Sequence, residues 1–518
     1  MTLYVSGWAR TDSRPTGRDW HCSTFTRSNG SCLQTGRPRG PLLRDRSQST
    51  ASHSTSMRCG TLDRPEPQIA HVIRRMTTIM STQIIDQSTF GPTPLTPRMA
   101  PFNHGNKWHS WRGLHIPDSY EGLSPELKAL HRRAVIEDKS PMNYYSITGP
   151  DAASYLDYLV TRDLTRLDVG AGIYTPWLDE HGKVVIDTPV LRVGDSDYVT
   201  MGGILESWLA LHAGPFDVNI TDQSDVKMVM PLQGPASRDI IEGATGEDWS
   251  EIRFMHGRAT TLGSKPVWVW RAGYNAQLGY EVHCDRDDAL DVFDAVMAVG
   301  ENFGLMPIGQ NSVQVARTEA GLIVPGIDYT RAGSDRNIAA YALLDDAGIV
   351  SPFEIGLGRF VNFDKPASFI GKEAALDEQA SGGPARALVG LEVAWGDIVR
   401  LYDQAGESPE VSRRIDYRRH PLWADSQVVG KATSMCWSPT IRKEIALAQV
   451  DRELAVEGTE LTMEWREHGS SLGNERAGDV IGGTISATVV PIPFLSKSHK
   501  FGIEKDDSDP GKRTSTMP

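Results

Sequence analysis

Residues 317–329 read RTEAGLIVPGIDY, with an Arg, a Glu, two Gly, a Pro and an Asp-Tyr pair crowded into one short run. The residues before it, SVQVARTEAG, have helical spacing, and Gly321 predicts the helix end. Glu319 then falls in the last turn, where the helix dipole disfavours an acid. Such a charge calls for a specific partner, for which Arg317 is one candidate.

Outward from this run, strands and helices are mixed. YYSITG, KVVIDTPVLRV, DYVTMGG and VKMVMPLQG are β-branched and aromatic runs bounded by Gly, Pro or Asp, as strands are. DAASYLDYLV, ILESWLALHA and DALDVFDAVMAVGENFG have helical spacing with Gly or Pro stops. SPELKALHRRAVIEDK opens with Ser124 as the expected N-cap and Pro125 at the first helical position. Without strict strand–helix alternation the expected class is α+β. After the small-residue stretch near LDEQASGGPARALVGLEV, short strand-like segments at close intervals predict a β-rich C-terminal domain.

The expected organisation is a disordered extension over 1–90, a folded part over 91–378, a β-domain over 379–495 and a flexible tail over 496–518. The first 75 residues hold twelve Arg, no Lys and five acids, a local charge of +7 that leaves −20 on the rest of a chain whose total is −13. That extension has no apolar periodicity, and translation is expected to start at Met76 or Met80. The acidic body argues against nucleic acid as a partner and for small molecules. No apolar run reaches about 18 residues, so no membrane helix is expected. The five cysteines and fourteen histidines lack metal-ligand spacing, so no metal is expected and a reducing cytoplasm is favoured. A monomer and a homo-oligomer both remain open.

Three further phrases carry chemistry. In GKVVIDTPV, Asp187 interrupts an apolar strand, either as a buried acceptor or as a site residue facing a cavity. RAGYNAQLGYEV, residues 271–282, is either a plain hairpin with an exposed Glu281 or a shaped loop presenting Tyr274 and Glu281. In SPFEIGLGRFVNFDKPASFIGKEAAL, residues 351–376, a polar turn precedes a helix start at Gly371.

In this order, with LQGPAS at 232–237, SPT at 438–440 and the closing VVPIPF, these phrases resemble the aminomethyltransferase family, the folate-binding T-protein of glycine cleavage and its relatives. The resemblance spans residues 90 to 495. It implies three α+β domains in a ring with a C-terminal β-barrel, and tetrahydrofolate in a central channel. By position it implies Asp187 beside the reacting end of the pterin. Tyr274 and Glu281 would lie at the pterin, with Glu281 pairing its donor edge, and Arg317 and Glu319 would help to shape a channel wall.

The C-terminal phrases, YDQAGESPEVSRRIDYRRHPLWADSQVVGKATSMCWS and GTELTMEWREHGSSLG onward, resemble the tetrahydrofolate-dependent aromatic O-demethylases of the vanillate and syringate type. That implies a methyl donor that is a small methoxyarene, and 5-methyltetrahydrofolate and a phenol as products. Departures stand at Arg286, where those enzymes have Tyr, and at Ser140-Pro141, where they have a His pair. His283 and Tyr174, with Tyr144 and Tyr145, are candidates for the acid that assists the leaving oxygen, although His283 reads first as a structural histidine. Two alternatives are a sulfonium or N-methyl donor, held in an aromatic cage that includes Trp177 and Tyr174, and a non-catalytic folate binder.

Overall fold

The computed structural model describes residues 91–203, 205–333, 348–412, 414–467 and 481–495. The expected extension over 1–90 lies outside them, as does the tail over 496–518.

Two units of the same topology follow one another. The first runs from strand Asn143–Thr148 through helix Ala152–Leu159, strands Gly172–Leu178, Val184–Arg192 and Asp197–Gly202, and helix Glu206–His212 to strand Asn219–Asp222. Its sheet runs in the order second, third, fourth, first and last of these strands, so that the first lies between the fourth and the last. The second unit repeats the plan with strands Lys227–Gln233, Gly257–Leu262, Lys265–Trp270, Gly279–Asp285 and Met306–Pro307, and helices Ser237–Thr245 and Ala289–Gly300. In its sheet the short strand Val135–Ile136 is inserted before the edge. Each sheet buries one face under its own two helices, with Tyr155, Leu156 and Trp208 in the first core and Ile240, Trp249 and Phe293 in the second. The opposite faces meet through Tyr144, Leu191, Met201, Val229 and Trp270. Val184–Arg192 is therefore apolar along both faces and almost continuously buried, which makes a carboxylate in it costly.

The C-terminal strands close a six-stranded barrel in the order Arg386–Val393, Lys443–Asp451, Gln427–Ser438, His420–Ala424, Glu460–Arg466 and Gly482–Val490. Strict alternation, with Leu461, Met463 and Trp465 inside and Glu460, Thr462 and Glu464 outside, shows how its sequence specifies the barrel wall. The α+β class and the β-barrel are as the sequence implied.

Ser124 does not cap the helix Leu123–Arg132. Gly122 occupies the cap position, and Glu126 Oε1 accepts from the backbone N–H groups of Tyr120, Glu121 and Gly122. One buried carboxylate thereby satisfies three donors that a serine hydroxyl could not reach together.

Candidate functional site

Helix Gln310–Glu319 ends in a Schellman arrangement. Gly321 takes φ +70°, its N–H donates to Thr318 O at 2.9 Å, and Leu322 N–H donates to Arg317 O at 2.8 Å. The three charged residues of the run, Arg317, Glu319 and Asp328, are all buried and hydrogen-bonded. Arg317 donates to Asp328 Oδ2 at 2.7 Å, Leu322 O at 3.1 Å, Ser434 Oγ at 2.6 Å and Gln314 Oε1 at 2.9 Å. Asp328 in turn accepts from Thr433 Oγ1 and Ser434 Oγ of the barrel. The partner of Glu319 is not Arg317, as expected, but His131 Nε2 at 3.0 Å, together with Ser438 Oγ at 2.5 Å. Gln277 Nε2 lies 3.1 Å from His131 Nδ1. The run pins helix, barrel and the loop over 273–279 together, and it commits four of the five Arg317 N–H donors and both Glu319 oxygens to partners within the protein.

The last residue of the run reaches further. Tyr329 Oη donates to Asp187 Oδ1, and Tyr174 Oη donates to Asp187 Oδ2. Tyr174 reaches it because Gly172–Leu178 pairs antiparallel with Val184–Arg192, placing Pro176 opposite Asp187 and Tyr174 two residues along on the same face. Burial pushes the Asp187 carboxyl up to about 6, against the pull of the two hydroxyls. Both tyrosines are held well above their usual range by burial and by the Asp187 charge. Tyr274 joins this corner, its hydroxyl donating to Ile323 O within the run. Tyr174 stands edge-on to Phe360 at 5.5 Å, and Arg359 lies over the same Phe360 ring at 4.7 Å.

A second group lies on the face of the second sheet that meets the first. Pairing aligns Glu137, Pro231, Glu281 and Trp270 in one row across the strands. Lys139, Val229, His283 and Trp268 form the next. Glu281 is about a fifth exposed, with a side-chain value of 20%, and takes no hydrogen bond from the described residues; His283 Nε2 is 4.0 Å away. Burial pushes Glu281 up to about 7, with Lys139 opposing the shift and Glu137 adding to it. Burial, then the Lys227 charge, pushes His283 down to about 3, so its imidazole is neutral near pH 7, with Nδ1 3.4 Å from Tyr144 Oη.

The structure thus brings Asp187, Tyr174 and Tyr274 to one corner and Glu281 and His283 to another. It does not bring Trp177 beside Tyr174. Three residues along a strand puts the two side chains on opposite faces, and Trp177 is fully buried in the first core. The expected aromatic cage is therefore absent. Tyr145 is likewise a core residue, its hydroxyl accepting from Leu205 N–H. Arg286 donates to the carbonyls of Ser140 and Ser224, so two of the departing positions touch each other and have a structural use.

Sequence reasoning missed Tyr329, Glu137 and Lys139. The first has its partner 142 residues away. The other two sit in a charged Glu-Asp-Lys triplet that reads as a surface turn but is buried. Among the described residues no group of His, Cys, Asp or Glu could hold a metal ion, and no helix is long and apolar enough to cross a membrane.

Residues 100–338 match the GCVT N-terminal domain, and residues 409–495 match the glycine cleavage T-protein C-terminal barrel domain. An aminomethyltransferase of Bacillus cytotoxicus is 28% identical over 76% of this chain and 96% of its own length. Another, from Bacillus pumilus, is 30% identical over 70% of this chain and 92% of its own. The crystal structure of glycine cleavage system aminomethyltransferase T from Bartonella henselae superposes with TM-score 0.63 at 21% identity, covering 78% of this chain and 98% of that one. The last likeness is one of fold. With both domains matched in order, the chain belongs to the aminomethyltransferase family, the glycine cleavage T-protein and its relatives, which use tetrahydrofolate as their one-carbon acceptor.

Proposed function

We propose that this protein transfers a methyl group from a methoxylated aromatic compound to tetrahydrofolate, giving 5-methyltetrahydrofolate and a phenol. Residues 91–378 would hold the folate and residues 379–495 would close the barrel against them. The observation that carries the reading is Asp187. It is a carboxylate placed at a cost in a doubly buried strand, ionising close to neutrality and gripped by two tyrosine hydroxyls. A purely structural acceptor would not need to titrate there.

The residues present fit a pterin. Glu281 offers two acceptor oxygens without a donor of their own, the chemistry that adjacent ring N–H groups require. Tyr274, tied through Ile323 O, would form the neighbouring wall. Bound tetrahydrofolate supplies N5 as the nucleophile for the methyl carbon. The methyl–oxygen bond breaks as the N5–methyl bond forms, and the proton from N5 ends on the phenolate oxygen. Asp187 would take that proton from N5 and pass it to the departing oxygen, and the hydroxyls of Tyr174 and Tyr329 would stabilise its charge before and after. His283, neutral near pH 7, would act as a hydrogen-bonding partner and not as an imidazolium acid. Holding both reactants in one buried site supplies much of the acceleration. The two free thiols among the described residues, Cys284 and Cys436, are both buried and suit a reducing cytoplasm.

A glycine-derived aminomethyl donor is the second reading, favoured by the name of the Bacillus relatives. The test is mass-spectrometric analysis of folate products after incubating the full chain with tetrahydrofolate and, separately, methoxybenzoates, guaiacols, sulfonium compounds and N-methylated glycines. Methyl-folate and phenol formed in equal amounts from a methoxyarene are expected. Transfer only from the nitrogen donors would replace the proposed donor. Tight folate binding without transfer from any of them would make the protein a binder.

A further inference from the structure

The carboxylate of Glu281 stands mostly buried with no hydrogen-bond donor among the described residues, and burial by itself would leave it protonated and unable to accept two hydrogen bonds. We infer that Lys139 is a positioning residue of the folate site proposed above, on which this inference rests. Its ammonium, set between Glu137 and the face of Trp111, shifts Glu281 toward its charged form for incoming N–H donors. Lys139 Nζ lies 2.7 Å from Glu137 Oε1 and 5.3 Å from the centre of the Trp111 ring, and its side chain is only 9% exposed. That arrangement is enforced by the backbone. Lys139 N–H donates to Val229 O and Glu137 N–H donates to Pro231 O, which aligns the extended segment with the strand that carries Glu281 and His283.

The groups facing this carboxylate can be named. Glu137 and Lys139 come from the segment before Asn143, and His283 from the carboxylate's own strand, neutral near pH 7. Asp138 points to the opposite side of its segment, where Thr93 Oγ1 and Ser140 satisfy it. Lys139 is thus the cation set against two acids, and one ion pair with Glu137 leaves two of its three N–H groups uncommitted. A lysine that merely neutralised Glu137 would sit equally well at the surface; here it is buried against an indole, one row along the same sheet from Glu281.

The experiment measures tetrahydrofolate affinity under anaerobic conditions by tryptophan fluorescence, from pH 5.5 to 9, for the wild type, Lys139→Met, Lys139→Arg and Glu281→Gln. Wild-type affinity should weaken about tenfold per pH unit below a midpoint near 7, because a protonated carboxyl no longer accepts twice. In Lys139→Met the midpoint should move up by about one unit or more, so that affinity at pH 7 falls about tenfold while affinity at pH 9 returns to within about twofold. Lys139→Arg should restore the wild-type profile, and Glu281→Gln should flatten it. A Lys139→Met profile that keeps its midpoint, or that is lowered equally at every pH, would overturn the inference. If Lys139→Met does not fold, a Lys139→Arg profile that keeps the wild-type midpoint supports the inference and a displaced one overturns it. Wild-type binding that is tight but flat with pH would overturn it while leaving the folate site intact. Absence of wild-type folate binding would overturn both.

Discussion

Asp187→Asn should slow methyl transfer by a factor of about 10²–10⁴ and yet stabilise the fold at neutral pH. The carboxyl ordinarily ionises at 3.8 and in the folded protein at about 6. Because the folded value is the higher one, the folded state holds the proton longer than the unfolded state. Stability is therefore lost as pH rises between about 4 and about 6. A shift of about two units corresponds to ~3 kcal/mol of penalty carried at pH 7.5. Asparagine removes the charge but presents only one acceptor oxygen, so one of the two hydroxyls from Tyr174 and Tyr329 loses its partner, a cost of about 1–2 kcal/mol. The net expectation is a gain of about 1–2 kcal/mol at pH 7.5 and a change between about zero and a loss of about 1 kcal/mol at pH 4.5, where only about 1 kcal/mol of the wild-type penalty is left. Urea unfolding of both proteins at the two pH values measures this directly. A variant destabilised by the same amount at both would show that Asp187 carries no buried charge, and the argument that it is held there for chemistry would fail.

Other changes test the neighbouring interactions. Tyr329→Phe removes one of the two donors to Asp187, and the acid limb of the methyl-transfer pH profile, expected near 6, should rise by about 1–2 units; an unmoved limb would exclude Tyr329 from the centre. Asp328→Asn leaves the Arg317 guanidinium buried without a counter-charge and should cost about 3–5 kcal/mol in urea unfolding. A cost under about 1 kcal/mol would mean that this pair does not tie helix to barrel. His283→Gln should leave the pH profile between 6 and 8 unchanged in shape, because the imidazole it replaces is already neutral there; loss of a limb would return His283 to the role of acid.

The barrel was open to sequence reading because its strands alternate, as Leu461, Met463 and Trp465 do, and period two survives without tertiary context. The helix end at Gly321 was equally legible, since a left-handed terminus has few residues to choose from. The duplicated unit was not: its halves share strand order and little sequence. Long-range polar partners were hidden for a related reason. Glu319 signalled that it needed a partner, but nothing local points to His131, 188 residues away. Tyr329 sat in plain view in the run, where it reads as a turn residue until Asp187 is brought to it. The Trp177 cage was an avoidable error, because the strand period already put that ring and Tyr174 on opposite faces.

The most direct test follows a deuterated methyl group. Wild type and Asp187→Asn, both checked for folding and for unchanged tetrahydrofolate affinity, would be given a methoxybenzoate labelled on its methoxy carbon, and the label would be followed in single turnover. The account predicts labelled 5-methyltetrahydrofolate from the wild type and a rate lower by a factor of about 10²–10⁴ in the variant. Equal rates in the two proteins, or no label in the wild-type folate, would contradict it.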